Sequence, residues 1–523
     1  MQNWVSQLAS TRVRGPALSA HVKADFLPPN MKSFRVETMT GITAYGAYIP
    51  RLRLQRKAIA QANAWFAPNL LGAAKGERAM ANFDEDAVTL AVEAGRACLP
   101  ANDPIKDRDF VDAAYFASTS MPFSDRQNVG IVASALSLSD NISSVDVTSS
   151  QRAGTSALIA ALDAVAGGRA KSPLVVAGEK RKARAASTQE LAYGDAGAAL
   201  TLGKNKVIAK FLGSHSYTVD FIDHFRSESQ EFDYGWEERW IRDEGYTKIV
   251  PATVKKLFEK TGVSGADIAH FILPCPFAKL DQQLAKACGI DPAKVRDNLA
   301  ATVGDSGSAH AILMLAHVLE QAKPGEKILV AQFGQGCDTL LFEATAEIEK
   351  LENRGNVSRS LARRKEETNY NKYLAFNGLI ELEKGMRAEV DKRTALTVVY
   401  RKNDMLMGLV GGKCRVCGTA QFPRTRICVG PNCKAVDSQD PYSFAEQTGT
   451  LLSWSADFLT FSMSPPNHYG MVTFADGGRF LSDITDVEQG QIDAGTKVKM
   501  SFRVKDYDEK RGFVRYFWKA VPA

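Results

Sequence analysis

An α/β fold of two similar halves, followed by a small β-barrel, is what this 523-residue sequence predicts. Three observations carry the prediction. Short apolar strands alternate with Ala-rich helices from residue 41 to about 346, which argues helices layered on sheets. A strand, a small-residue turn and a long Ala/Leu helix occur once in each half of that region, as "VDVTSSQRAGTSALIAALDAV" and "ATVGDSGSAHAILMLAHVLEQA", and so hint at a duplication. Past residue 408 the helical texture stops, and a cysteine cluster leads into strand-rich sequence.

The elements follow in order. Strands are expected at "AAYFAST", "SSVDVTS", "PLVVAGE", "GAALTLG", "AHFILPCP" and "KILVAQFG", short apolar runs bounded by turn residues. Helices are expected at "DEDAVTLAVEAGRACL", "VGIVASAL", "GTSALIAALDAVAGG" and "SAHAILMLAHVLEQA", whose apolar residues recur at helical spacing. Between the halves, "DFIDHFRSESQEFDYGWEERWIRDEGYTKIV" is polar and aromatic, the composition of a cap rather than a core. Residues 347–407 are charge-rich and read as a helical connector. Residues 408–440 hold the cysteine cluster, and 441–523 show about five strands with Gly/Asp turns and no helix, the pattern of a small barrel. Residues 1–40 have no apolar signal core and are expected to be a disordered extension, with Met31 or Met39 as alternative starts.

Composition bounds the function. Sixty-five basic and 59 acidic residues leave a net charge of +6, spread evenly along the chain. That is too mild for nucleic-acid binding and suits a small anionic ligand. No run of 18 apolar residues appears, so neither a membrane span nor a membrane partner is expected, and the chain reads as cytoplasmic. In "CRVCGTAQFPRTRICVGPNC", Cys414-x2-Cys417 and Cys428-x4-Cys433 stand ten residues apart. Four thiolates on two knuckles suit a closed tetrahedral zinc of structural role, with iron chemically possible.

The stretch "SSVDVTSSQRAGTSALIAALDAV" is a strand that turns through small residues into a helix, a platform that puts a nucleophile at a helix N-terminus, where N–H groups favour an anion. The residue at the turn is Gln151, which attacks nothing.

The stretches "GITAYGAYIPRLRL", "DEDAVTLAVEA", "DVTSSQRAG", "YGDAGAALTLG", "PCPFAKL", "VGDSGSAHA" and "VAQFGQGCDTLLFE" resemble those of the thiolase superfamily, near 3-hydroxy-3-methylglutaryl-CoA (HMG-CoA) synthase and ketoacyl synthase III. Residues 370–523 resemble the acyl-CoA-associated OB-fold family with a rubredoxin-like zinc ribbon, which often accompanies thiolases as a partner subunit. The resemblance implies a duplicated thiolase fold of αβαβα layers over 41–346, then a zinc ribbon and an OB barrel. It also implies a CoA thioester as substrate and a homodimer, with or without an added thiolase-like subunit.

Carried over residue by residue, the family's machinery is altered at four places. Its nucleophilic Cys falls on Gln151, its catalytic His on or near Pro274, its Asn on Asp305 and its general-base Glu near Thr119. Cys275 and Cys337 lie in motifs expected near the pocket and read as small buried hydrophobes. A Claisen condensation through an acyl-enzyme needs a thiolate, so this chain is not expected to form one at position 151. The leading expectation is aldol- or Claisen-type carbon–carbon bond cleavage or formation on a CoA thioester without that nucleophile. There Gln151 and Arg152 polarise the thioester carbonyl, Asp305 or His310 acts as base, and Lys279 meets the CoA pantetheine or phosphate. The alternative is a non-catalytic acyl-CoA-binding scaffold beside an active thiolase-like partner. Decarboxylation, known for ketosynthases with Gln in place of Cys, ranks third, because the histidine that would hold the enolate is Pro274 here. Each residue also has a plain use: His310 as a buried hydrogen-bonded ring, Asp305 as a helix cap, Arg152 as a loop anchor, Lys279 as a solvated charge.

Overall fold

The computed structural model describes residues 39–351, 355–384 and 394–523. Most of the N-terminal extension, residues 1–38, therefore lies outside the described residues, as do 352–354 and 385–393 of the connector. No helix among the described residues is long and apolar enough to cross a membrane.

The duplication that the sequence hints at is written in strand order. The first half-sheet runs Gly41–Tyr48, Ala196–Gly203, Pro173–Glu179, Ala113–Ala117, Ser143–Val147, paired antiparallel, antiparallel, parallel, parallel. The second runs Ala209–Thr218, Gly336–Ala344, Lys327–Phe333, Ile268–Ile272, with the same directions as far as it goes. Its fifth place is a single parallel bridge from Phe271 to Val295. Gly41 and Ile42 pair with Lys210 and Ala209, so the halves join as one nine-stranded sheet.

Period-two alternation assigns each face. In the fully buried strand Pro173–Glu179, Val175 and Ala177 enter the central core while Leu174 and Val176 enter an outer one. In Lys327–Phe333, Ile328 and Val330 share that central core, and Leu329, Ala331 and Phe333 face a third core. Helices Ala153–Ala166 and His310–Leu319 fill the middle layer. Their close crossing requires Gly154, where a Cβ would collide with the Ser308 carbonyl. Helix Ala87–Cys98 covers the first sheet from outside, started by a capping box of Asp86 and Thr89, and helix Thr247–Thr261 covers the second. The layers are αβαβα.

The connector is not helical throughout: besides short helices it supplies a strand, Lys365–Glu367, parallel to Leu52–Gln55. The ribbon strands Val410–Cys414, Ala420–Gln421 and Gln439–Ser443 form their own sheet. Five strands then close a barrel in the order Gly449–Asp457, Asn467–Phe474, Arg479–Ile484, Phe513–Pro522, Lys497–Asp508. The barrel seats on the outer helix of the first half. Phe502 N–H donates to Glu93 at 2.9 Å, Tyr516 OH to Asp86 at 2.6 Å, and Lys519 pairs with Asp84 at 3.0 Å. Buried Arg503 ion-pairs with Glu85 and, at 2.9 Å, with Asp486.

Candidate active site

The two central helices bring their leading turns together. Ser150 Oγ donates to the Gly334 carbonyl at 2.9 Å, so the elbow of the first half is tied to the turn between the last two strands of the second. Arg152 strengthens that tie. Its guanidinium reaches Asp338 at 2.7 Å, the Gly334 carbonyl at 3.1 Å and Thr218 Oγ1 at 3.1 Å. Asp338, buried, also accepts from Thr155 and Ser156. Arg152 thus anchors the elbow, its plain use, and its cation is already neutralised.

Gln151 lies between this anchor and the opposite turn. Gly307, at φ +53°, lets that turn approach: a Cβ there would lie 2.7 Å from Gln151 Oε1 and 3.0 Å from Arg181 Nε. Among the described residues neither buried atom has a hydrogen-bond partner, and neither does Thr119 Oγ1. The Gln151 oxygen and Arg181 Nε are thus unpaired polar atoms facing the same turn.

Asp305 stands at the rim, its side chain 44% exposed and 3.0 Å from Arg181. Burial of its surroundings would raise its pKa, but the Arg181 charge wins and holds the carboxyl down at about 2. A carboxylate of that strength is a poor proton acceptor near neutral pH. His310 is buried: Nδ1 accepts from Ser306 N–H at 3.1 Å, and Nε2 donates to the Asn298 carbonyl at 2.7 Å. Burial lowers its pKa. Both ring nitrogens are thus engaged by backbone groups, one from its own turn and one from the Asn298 loop.

The two cysteines stay protonated. Burial pushes Cys275 up to about 12 and Cys337 higher still, which removes them as thiolates. Lys279 begins helix Leu280–Ala287 at φ +63°, exposed and without an ion-pair partner among the described residues. Glu179, which sequence reasoning passed over, is a buried carboxylate in a ring of donors. Ser118, Ser120 and Ser308 hydroxyls and the Thr119 and Ser308 N–H groups all bind it.

The cap also reaches the elbow. Its hairpin pairs His224 with Gly235, and Trp236 N–H donates to the Asp223 carbonyl at 2.8 Å. His224 Nδ1 lies 3.0 Å from Asp223 Oδ1, and its Nε2 lies 3.1 Å from Gln151 Nε2. Gln335 Nε2 donates to Asp223 Oδ1 and to the His224 carbonyl, each at 3.2 Å, fixing the hairpin to the Gly334–Gly336 turn. With Nδ1–H donating to Asp223, Nε2 accepts from the Gln151 amide. Beside it, Tyr193 OH donates to Asp233 at 3.0 Å, and Arg226 donates to the Thr119 carbonyl. No periodicity marks a two-residue strand, so His224 carried no signal in the sequence beyond a histidine flanked by Asp and Phe.

Residues 258–340 match the family described as 3-oxoacyl-[acyl-carrier-protein] synthase III, C terminal, and 442–503 match the ChsH2 C-terminal OB-fold domain. This chain carries a region similar to HMG-CoA synthases joined to a domain that matches an OB-fold family. Along that region it is 29% identical over 351 residues to the HMG-CoA synthase of Methanocaldococcus jannaschii, 66% of this chain and 100% of that one. It is 28% identical over 349 residues to that of Pyrobaculum arsenaticum, 65% of this chain and 99% of that one. An HMG-CoA synthase solved with CoA shares its fold at TM-score 0.56 and 20% identity, covering 68% of this chain and 95% of that one. Xanthomonas campestris OleA does so at 0.52 and 18%, covering 58% and 98%. The thiolase-like region and barrel thus agree with the expected fold.

At the ribbon, the Sγ atoms of Cys414, Cys417, Cys428 and Cys433 all lie within 4.8 Å of one another, with Cys414–Cys433 at 3.8 Å and Cys417–Cys428 at 3.5 Å. A tetrahedral zinc with Zn–S of about 2.3 Å spaces its sulfurs about 3.8 Å apart. The four thiols fit such an ion and offer it no open position.

Proposed function

We propose that this chain binds a CoA thioester at the junction of its two halves and makes or breaks a carbon–carbon bond, of aldol or Claisen type, without an acyl-enzyme. The observation that carries the reading is Gln151 at the elbow where the family platform presents a nucleophile, its Oε1 buried without a partner among the described residues and its Nε2 held by His224. Support comes from the relatives, which are named HMG-CoA synthases, and from a fold neighbour that holds CoA. Lys279, exposed and without an ion-pair partner among the described residues, is suited to a CoA phosphate. Zinc at the four cysteines has a structural part here: the ribbon buries too little apolar surface to fold unaided. A homodimer formed through the half-exposed edge strand Ser143–Val147 would cover unpaired backbone.

The alternative is a non-catalytic acyl-CoA-binding scaffold with a thiolase-like partner, favoured by the saturation of His310 and Arg152. One experiment separates them: incubate the purified chain with 3-oxoacyl- and 3-hydroxyacyl-CoA esters and follow products and intact protein by mass. Turnover with no protein adduct is expected. An acyl adduct on Cys275 or Cys337 would overturn the non-covalent reading, and binding without turnover would favour the scaffold.

A further inference from the structure

We propose that His224, oriented by Asp223, is the acid–base residue of this site and acts on a thioester bearing a 3-hydroxyl. This rests on the CoA-thioester reading above.

The geometry sets the roles. Asp223 Oδ1, 3.0 Å from Nδ1, fixes the tautomer that leaves the Nε2 lone pair directed at Gln151, 3.1 Å away. His224 is 21% exposed at its side chain, so a ligand can reach it, whereas His310 is buried. The charged groups acting on the ring are Asp223 and Asp233 of the cap and Arg181 of the first half. Burial works against a charged ring, yet the hydrogen bond and charge of Asp223 outweigh it and raise the pKa. Asp305, at about 2, is far weaker.

The chemistry follows from what is missing. Claisen cleavage needs a nucleophile to receive the acyl group, and no cysteine near the elbow ionises. Aldol cleavage needs a base and an enolate site only. The neutral Nε2 accepts the 3-hydroxyl proton, the C3–O bond becomes a carbonyl, and C2–C3 breaks. Its electron pair passes into the thioester enolate. His224 Nε2–H then returns the proton to C2, giving a shorter acyl thioester and an aldehyde or ketone, with no other reactant. The substrate hydroxyl displaces the Gln151 amide from Nε2, and the freed N–H faces the thioester oxygen.

The test uses the full chain and two readouts on 3-hydroxyacyl-CoA and acyl-CoA esters: cleavage, and C2 proton exchange in D2O by mass. His224→Gln should lower both at least 100-fold while the thioester Kd changes less than threefold. Asp223→Asn should lower kcat about tenfold or more and move the acidic limb of the pH profile down, since Asp223 raises the ring pKa. Melting curves check that both variants fold, and Cys275→Ala should be unchanged. Wild-type cleavage or exchange that persists in His224→Gln overturns His224 and leaves the thioester reading standing. Binding with neither cleavage nor exchange in wild type overturns His224 and favours the scaffold. Failure of wild type to bind any of these esters overturns both.

Discussion

Replacing Glu446 by Gln probes the contact that joins barrel to thiolase-like region. Glu446 accepts from Arg96 Nε and Nη2 at 2.9 Å each and from Arg108 at 2.9 Å, with its side chain 11% exposed. Burial would raise its pKa, but Arg96 and then Arg108 overcome that and hold it at about 2. Against an ordinary 4.5 this favours the folded carboxylate by about 3 kcal/mol, at 1.36 kcal/mol for each tenfold in proton affinity. The sign is that of a depressed carboxylate. The contribution is complete above the unfolded value near 4.5 and is lost as pH falls toward 2. It should be about 3 kcal/mol at pH 7 and less than half that at pH 3. Urea unfolding of wild type and Glu446→Gln at pH 7, 4 and 3, followed by far-UV circular dichroism and tryptophan fluorescence, measures the difference. A gap that stays constant with pH, or lies below about 0.5 kcal/mol at pH 7, the scale of an exposed pair, refutes the assignment.

Two further outcomes are expected. Arg152→Ala should destabilise the chain by about 3–5 kcal/mol in urea melts, because it leaves the buried Asp338 charge with hydroxyl donors alone; lost turnover with an unchanged melt would assign Arg152 to the chemistry instead. Fresh protein should carry one zinc per chain, lost in Cys417→Ser together with protease resistance of the ribbon; iron, or less than half an equivalent of zinc, contradicts the closed-site reading.

The layered fold was legible because its strands and helices are long and buried on both sides. Pro173–Glu179 and Lys327–Phe333 are continuous apolar runs, and the helix Ala153–Ala166 repeats small and apolar residues. The cysteine spacing told the ribbon equally plainly. Less legible was the second half-sheet's reduced fifth strand, a single bridge at Val295 that leaves no pattern. The helix Thr247–Thr261 also hides, since Pro251 lies within it and polar cap sequence precedes it.

The site divides on the same physical line. Residues at the leading turns of the two central helices stand out in the sequence by their motifs, but their roles cannot be read there. A histidine four residues after Ser306 either caps its own turn or faces a ligand, and only the Asn298 carbonyl at 2.7 Å decides for the turn. An aspartate at a Gly-rich turn is a base or an ion-pair partner according to what lies beside it, and Arg181 comes from a strand end more than a hundred residues earlier. His224 is the converse case. Its environment is assembled from the elbow, the Gly334–Gly336 turn and a two-residue hairpin, each remote in sequence. Gln151 stands at the elbow where the resemblance expects a nucleophile, and the insertion between the halves sets His224 Nε2 3.1 Å from its amide. Deleting the cap hairpin should remove proton transfer while leaving the αβαβα layers and thioester affinity in place.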